Sequence, residues 1–164
     1  MIVLLFIVFV LNVNAQSIVA LLKGIENNHE LHMVYNQKAF VCKPYGVESV
    51  SELILRIDAN STCITHLDAF RRNHPYEKFF AQMSLYVQQQ YSVEGKGDRC
   101  LLYLSNEGTY SEALLEKGYA RIPLGLQYDD IIMKYRFKKA LQRAKSKKLG
   151  IWSDVNVRNC FLGE

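Results

Sequence analysis

Four cysteines, Cys42, Cys63, Cys100 and Cys160, are the side chains whose chemistry the sequence constrains most. No two of them have the C-x-x-C spacing from which zinc sites draw paired ligands, and His29, His32, His66 and His74 are not placed to complete such a set. No metal site is expected on these residues. An even number of cysteines in an exported chain points to two disulfides. Three connectivities are open. Cys42 with Cys63 and Cys100 with Cys160 is favoured, because the first closes a short loop and the second ties the tail to the body of the fold.

Cations are the other group with a pattern. The net charge is only +4, yet Lys134, Arg136, Lys138, Lys139, Arg143, Lys145, Lys147 and Lys148 crowd one segment near the C-terminus. Such a face can attract a polyanion. It is equally what a long amphipathic helix uses to solvate its outer side, and without interleaved aromatics this plainer reading carries more weight.

An uncharged apolar run from Ile2 to Leu11, followed by Asn12-Val13-Asn14-Ala15, has the form of a signal peptide cleaved after Ala15. Its apolar core of about ten residues is too short for a bilayer span, which needs about twenty. No Lys or Arg precedes it, so an uncleaved or lipid-retained form stays open. The expected organisation is a leader over residues 1–15 and one domain over 16–164, secreted or periplasmic, monomeric and without a membrane span once the leader is removed. A composition with 49% hydrophobic and 12% aromatic residues excludes a disordered chain.

The elements that must position any site read as α+β. Apolar runs and alternation predict strands at 18–22, 31–35 and 39–42, with turns at 24–28 and at Asn36-Gln37. Helices follow, capped at Ser49 or Ser51 and at Thr62, and another over 76–87 begins at His74-Pro75. Strands return at 90–94 and 100–104. Thr109-x-x-Glu112 is a capping box for a helix ending at Gly118, and a long helix spans about 128–148 with Asp129 and Asp130 at its start. Ile151 and Trp152 are expected to pack back onto the core. Asn60-Ser61-Thr62 is formally a glycosylation sequon, meaningful in a eukaryotic host.

The stretch Gly108 to Ile122, the basic helix and Leu149-Gly150-Ile151-Trp152-Ser153 resemble the C-terminal half of the staphylococcal nuclease (thermonuclease-like) family. Lys96-Gly97-Asp98-Arg99-Cys100-Leu101-Leu102-Tyr103-Leu104 is similar to that family's "D-K-Y-G-R-x-L-A-Y-V" strand. The segment from Ile18 to Val41 can be laid on its first three strands. The resemblance implies a five-stranded OB-fold-type β-barrel flanked by about three or four helices.

It also implies a chemistry to look for: phosphodiester hydrolysis with Ca²⁺, using two Asp ligands, a Glu that orients water and two Arg that neutralise the phosphate. The family's "D-G-D-T" turn falls on Glu26-Asn27-Asn28-His29, which puts Asn28 in place of an acid. Its "R-L-x-G-I-D-x-P-E" signature falls on 41–48, where Val41 or Cys42 replaces the first Arg and Gly46 or Val47 the Asp. Glu48 is the one candidate carboxylate, although a Glu there also suits a helix start. Arg99 matches the second Arg, with an ordinary structural role about as well supported. Lys43 and Lys96 are the candidate phosphate-binding cations, and Leu124 and Leu126 stand where the family has two pocket aromatics. A Lys lacks the guanidinium fork, and Glu26 is offset from the acid it would replace.

The expected function is therefore an exported nuclease-like domain with lost or weakened catalysis, binding nucleic acid, another polyanion or a protein partner in the cell envelope, with no cofactor. The alternatives are an active secreted phosphodiesterase using Glu48, Arg99, Lys43 and Ca²⁺, and a purely structural module.

Overall fold

The computed structural model describes residues 17–58, 61–104 and 108–162. The expected leader and Asn60 of the sequon lie outside the described residues. No helix among the described residues is long and apolar enough to cross a membrane.

Six strands form one antiparallel sheet: β1 (Ser17–Asn27), β2 (Glu30–Tyr35), β3 (Lys38–Cys42), β5 (Gln90–Lys96), β6 (Arg99–Leu104) and β7 (Gly108–Thr109), in the order β3-β2-β1-β5-β6-β7. A separate short pair joins β4 (Glu48–Ser49) to β8 (Ala120–Arg121). Asn36 and Gln37 take positive φ values of 47° and 63° in the tight β2–β3 turn, as a hairpin with right-handed strand twist requires. The expected turn at 24–28 is corrected. β1 continues to Asn27, with irregular register around Gly24, because a strand can absorb a glycine as a bulge.

The two ends of the five long strands meet. Past β3, Pro44 bridges Cys100 of β6 in parallel fashion, the Tyr45 N–H donates to the Cys100 carbonyl at 2.8 Å, and the Cys100 N–H donates to the Lys43 carbonyl at 2.8 Å. The Cys42–Cys100 disulfide clamps this seam. The favoured pairing is thereby corrected: the second bridge is Cys63–Cys160, and no free cysteine remains. Proximity along the chain misled, because β3 and β6 are neighbours across the closure while Cys63 sits on a helix facing the C-terminal one.

Seven α-helical segments occur among the described residues, against the three or four expected: α1 (Val50–Arg56), α2 (Thr62–Asn73), α3 (Pro75–Lys78), α4 (Phe80–Ser84), α5 (Tyr110–Lys117), α6 (Ile131–Ser146) and α7 (Val155–Leu162). The helix expected over 76–87 is divided at Phe79 into α3 and α4. The helix α7 has only two buried residues, Val157 and Phe161, one helical turn apart, and so left a weak apolar signal. The α5 helix has both halves of its capping box and ends at Gly118 with φ 71°. Gly118 and Gly150 lie backbone to backbone. A Cβ on either would overlap the other segment, and the Ile151 N–H donates to the Gly118 carbonyl at 2.8 Å.

Two cores result. One fills the strand layer with Leu22, Leu31, Met33, Leu101, Leu102, Tyr110 and Phe137. The other joins Val50, Leu53, Leu67, Phe70, Ile151, Trp152, Val157 and Phe161 beneath α1, α2 and α7. Each disulfide braces one of them. They close loops separated by 58 and 97 residues, which a chain-entropy account values at about 4 kcal/mol each. Peptide mapping of the oxidised protein is expected to recover Cys42–Cys100 and Cys63–Cys160 linkages and no free thiol, and replacing both Cys63 and Cys160 by Ser is expected to cost about 2–5 kcal/mol of stability. A Cys42–Cys63 peptide would contradict the arrangement.

Candidate functional site: the mouth of the strand layer

Asn28 occupies the β1–β2 turn and is completely buried. Its amide nitrogen donates to the backbone carbonyl of Glu77 and, at 3.3 Å, to the Glu77 carboxylate. Its amide oxygen accepts the Ala81 N–H at 2.9 Å, and its backbone carbonyl accepts the Tyr110 hydroxyl at 3.2 Å. The Asn28 side chain thus fastens the strand layer to α3 and α4, and its backbone carbonyl ties the same turn to α5. Both ends of the amide are in use, and it brings no charge with which to hold a cation.

Glu77 is fully buried, with the Arg71 guanidinium 3.3 Å from its carboxylate. Burial pushes its carboxyl pKa above the usual range, against the opposing pull of Arg71 and the hydrogen bond from Asn28.

Arg99, at the start of β6, points back across the seam. It donates to the carbonyls of Pro44 at 3.1 Å and Val47 at 3.2 Å, and its two terminal nitrogens engage the two oxygens of Glu52. Glu52 reaches this position because Ser49 caps α1, accepting the Glu52 N–H at 3.1 Å. Instead of returning to its own helix start, the Glu52 side chain takes the fork of Arg99 in the paired geometry that guanidinium and carboxylate favour.

Glu48, in β4, is 1% exposed. One of its oxygens accepts the Arg121 Nε–H at 2.6 Å and the other is ion-paired with Arg56. Its partner strand β8 supplies Arg121, so the two-residue ladder that carries the acid also carries its counter-charge. Lys43 lies 3.4 Å from Glu30. Lys96 lies 2.8 Å from Glu94, which also accepts the Tyr103 hydroxyl at 2.7 Å. Although burial works against it, these bonds from Lys96 and Tyr103 hold Glu94 below the usual carboxylate range.

Every sequence-derived candidate is therefore placed, and each is engaged by a partner of opposite charge, although Lys43 and Arg99 both lie near enough to His29, and Glu48 to Arg99, to act on them electrostatically. Arg99 faces Glu52, Glu48 faces Arg56 and Arg121, and the two lysines face carboxylates of their own. Val41 is exposed and Gly46 adopts φ 76°, with a Cβ there colliding with Phe137. Leu124 is exposed to solvent. Among the described residues no three His, Cys, Asp or Glu side chains gather as an ion would need, and the donor set left at the turn fits Ca²⁺ poorly, since a hard cation wants free charged oxygens.

Sequence reasoning missed the partners. The Ser49-x-x-Glu52 spacing was a visible capping signal that placed Glu52 at a helix start. Nothing local marked Glu77, 49 residues from Asn28, or Arg121 opposite Glu48. His29, which the sequence placed in the turn without a role, is a further case. It is buried, its Nδ1 has no partner among the described residues, and its Nε2 lies 3.9 Å from Glu30. Burial lowers its pKa, with Glu30 and Glu52 pulling the other way.

The raised pKa of Glu77 sets a sign. Between the unfolded-state carboxyl pKa and the higher native one, the folded chain binds more protons, so unfolding free energy should fall as pH rises through that window. Denaturant titrations across mildly acidic pH are expected to show this decline, and Glu77→Gln should flatten it.

A family model of staphylococcal nuclease homologues matches residues 22–154. No curated protein matches the chain. The matched span runs from within β1, across the Asn28 turn, β6 and α6, to the end of the Ile151-Trp152 element, and by this match the chain belongs to the staphylococcal nuclease homologue family.

Proposed function

We propose that this protein is an exported member of its family that has lost calcium-dependent phosphodiester cleavage and acts as a polyanion-binding module, nucleic acid being the natural ligand. The observation that carries the first half is the Arg99–Glu52 clasp. The guanidinium that would meet a developing phosphate charge is held by a carboxylate and two backbone carbonyls, while Asn28 and Glu48 are bound into the fold. Removal of one such transition-state donor commonly costs on the order of a hundredfold in rate, and here the acid, both guanidinium contacts and the pocket aromatics are gone together or engaged elsewhere.

The second half is supported by α6. Arg136 and Arg143 are paired with Glu112 and Glu116. Lys134, Lys138, Lys139, Lys145, Lys147 and Lys148 are exposed and have no carboxylate partner among the described residues. Such a row of unneutralised ammonium groups attracts phosphates by counterion release. Disulfides on both cores suit an oxidising compartment outside the cytosol.

Incubation of the oxidised protein with DNA and RNA is expected to give no calcium-dependent turnover. Binding to single strands should weaken linearly in log–log form with salt, by a slope of about −0.7 per phosphate contacted. Calcium-dependent cleavage abolished by Arg99→Ala would establish the active phosphodiesterase instead. Asn28→Asp, which restores an acid at the turn, should not restore cleavage. Its carboxylate cannot donate to Glu77 and adds a second buried charge beside it, so thermal unfolding should report a loss of about 3 kcal/mol or more.

A further inference from the structure

Far along the chain from the Asn28 turn, the end of α6, the Gly150–Trp152 turn and α7 enclose a bowl of about 400 Å³ lined by Lys145, Lys148, Trp152, Arg158, Asn159 and Leu162. This volume lies in the range of small-ligand sites, about 300–1,000 Å³. Three cations face it and no carboxylate among the described residues lines it. None of the three cations has an ion-pair partner among the described residues. The nearest acid along the chain, Asp154, is taken up capping α7, where it accepts the Asn156 N–H at 2.8 Å and the Val157 N–H at 3.1 Å.

The bowl is also built to stay in shape. The Lys145 ammonium sits 4.5 Å from the centre of the Trp152 ring, which orients it. Trp152 is buried in the second core, and its indole N–H has no acceptor among the described residues. Asn159 adjoins Cys160, whose disulfide to Cys63 fixes α7 against α2.

We infer that this bowl is a binding site for a phosphate monoester. Converging cations in a concavity that ends at a tryptophan favour a compact terminal dianion over a backbone running through. A monoester near neutral pH carries about two negative charges and three free oxygens, whereas a diester link carries one charge and two. Arg158 supplies the planar fork for two oxygens, and Lys145 and Lys148 supply point charges. The remaining volume admits part of the ligand that bears the phosphate. The source can be a strand end or a free mononucleotide. The strand-end form rests on the polyanion reading of α6, whose basic row leads to the bowl, and the free form does not.

Trp152 is the single tryptophan of the chain, so its emission reports on the bowl directly. In the oxidised full-length mature protein, inorganic phosphate and a nucleoside 5′-monophosphate are expected to change that emission saturably, and the parent nucleoside is not. A 5′-phosphorylated oligonucleotide should bind on the order of tenfold tighter than the same strand with a 5′-hydroxyl. Arg158→Gln, which removes the guanidinium fork and leaves the α6 lysines in place, should strongly weaken both effects while retaining salt-dependent strand binding. A response to the mononucleotide without strand-end discrimination assigns the site to free monoesters, and discrimination without a mononucleotide response assigns it to strand ends. If strands bind but neither phosphate, mononucleotide nor a phosphorylated end is distinguished, the monoester site is overturned and the polyanion reading stands. If no strand binds at low salt, the polyanion reading falls, and the mononucleotide response alone decides the bowl.

Discussion

A single buried amide holds the arrangement together. Asn28 offers a donor to Glu77 and an acceptor to Ala81, and its amide supplies both without a charge at any pH. An acid in its place would face the Glu77 carboxylate in a fully buried site, and an aliphatic residue would orphan two buried partners. The short helices α3 and α4 have few apolar residues of their own to hold them. Their position follows from that turn, and with it the shape of the mouth.

The same economy appears at the seam and beneath the helices. Closure between β3 and β6 rests on one bridge and a disulfide in place of a full ladder, and the clasp of Arg99 on Glu52 and on the Pro44 and Val47 carbonyls fixes the chain that leaves it. The helical core is stapled by Cys63–Cys160 and by the close crossing of Gly118 and Gly150, where only hydrogen atoms fit between backbones. Charge here serves mainly to fasten the fold, and α6 presents the main unspent excess.

The local grammar of the chain was readable. The Asn36-Gln37 hairpin, the Thr109–Glu112 capping box and the left-handed end at Gly118 all follow from short-range rules, and the C-terminal motifs identified the family. Boundaries failed where a local signal had two meanings: Gly24 reads as a turn or a bulge, and a periodic stretch such as 76–87 does not reveal that it breaks at Phe79. Pairings failed for a different reason. The choice between Cys63 and Cys100 as partner of Cys42, or of Glu52 as partner of Arg99, is made by tertiary proximity at the Pro44–Cys100 bridge, and sequence separation carries no trace of it.

The Arg99–Glu52 clasp limits which substitutions this region can accept one at a time. Freeing the guanidinium means discarding Glu52, which abandons a half-buried positive charge and slackens the 44–47 segment without yet creating anything useful. An acid at the turn would likewise require Glu77 to change with it. Either change made alone leaves a buried group without its partner, so the clasp and the turn are each held as pairs that a single substitution breaks without replacing.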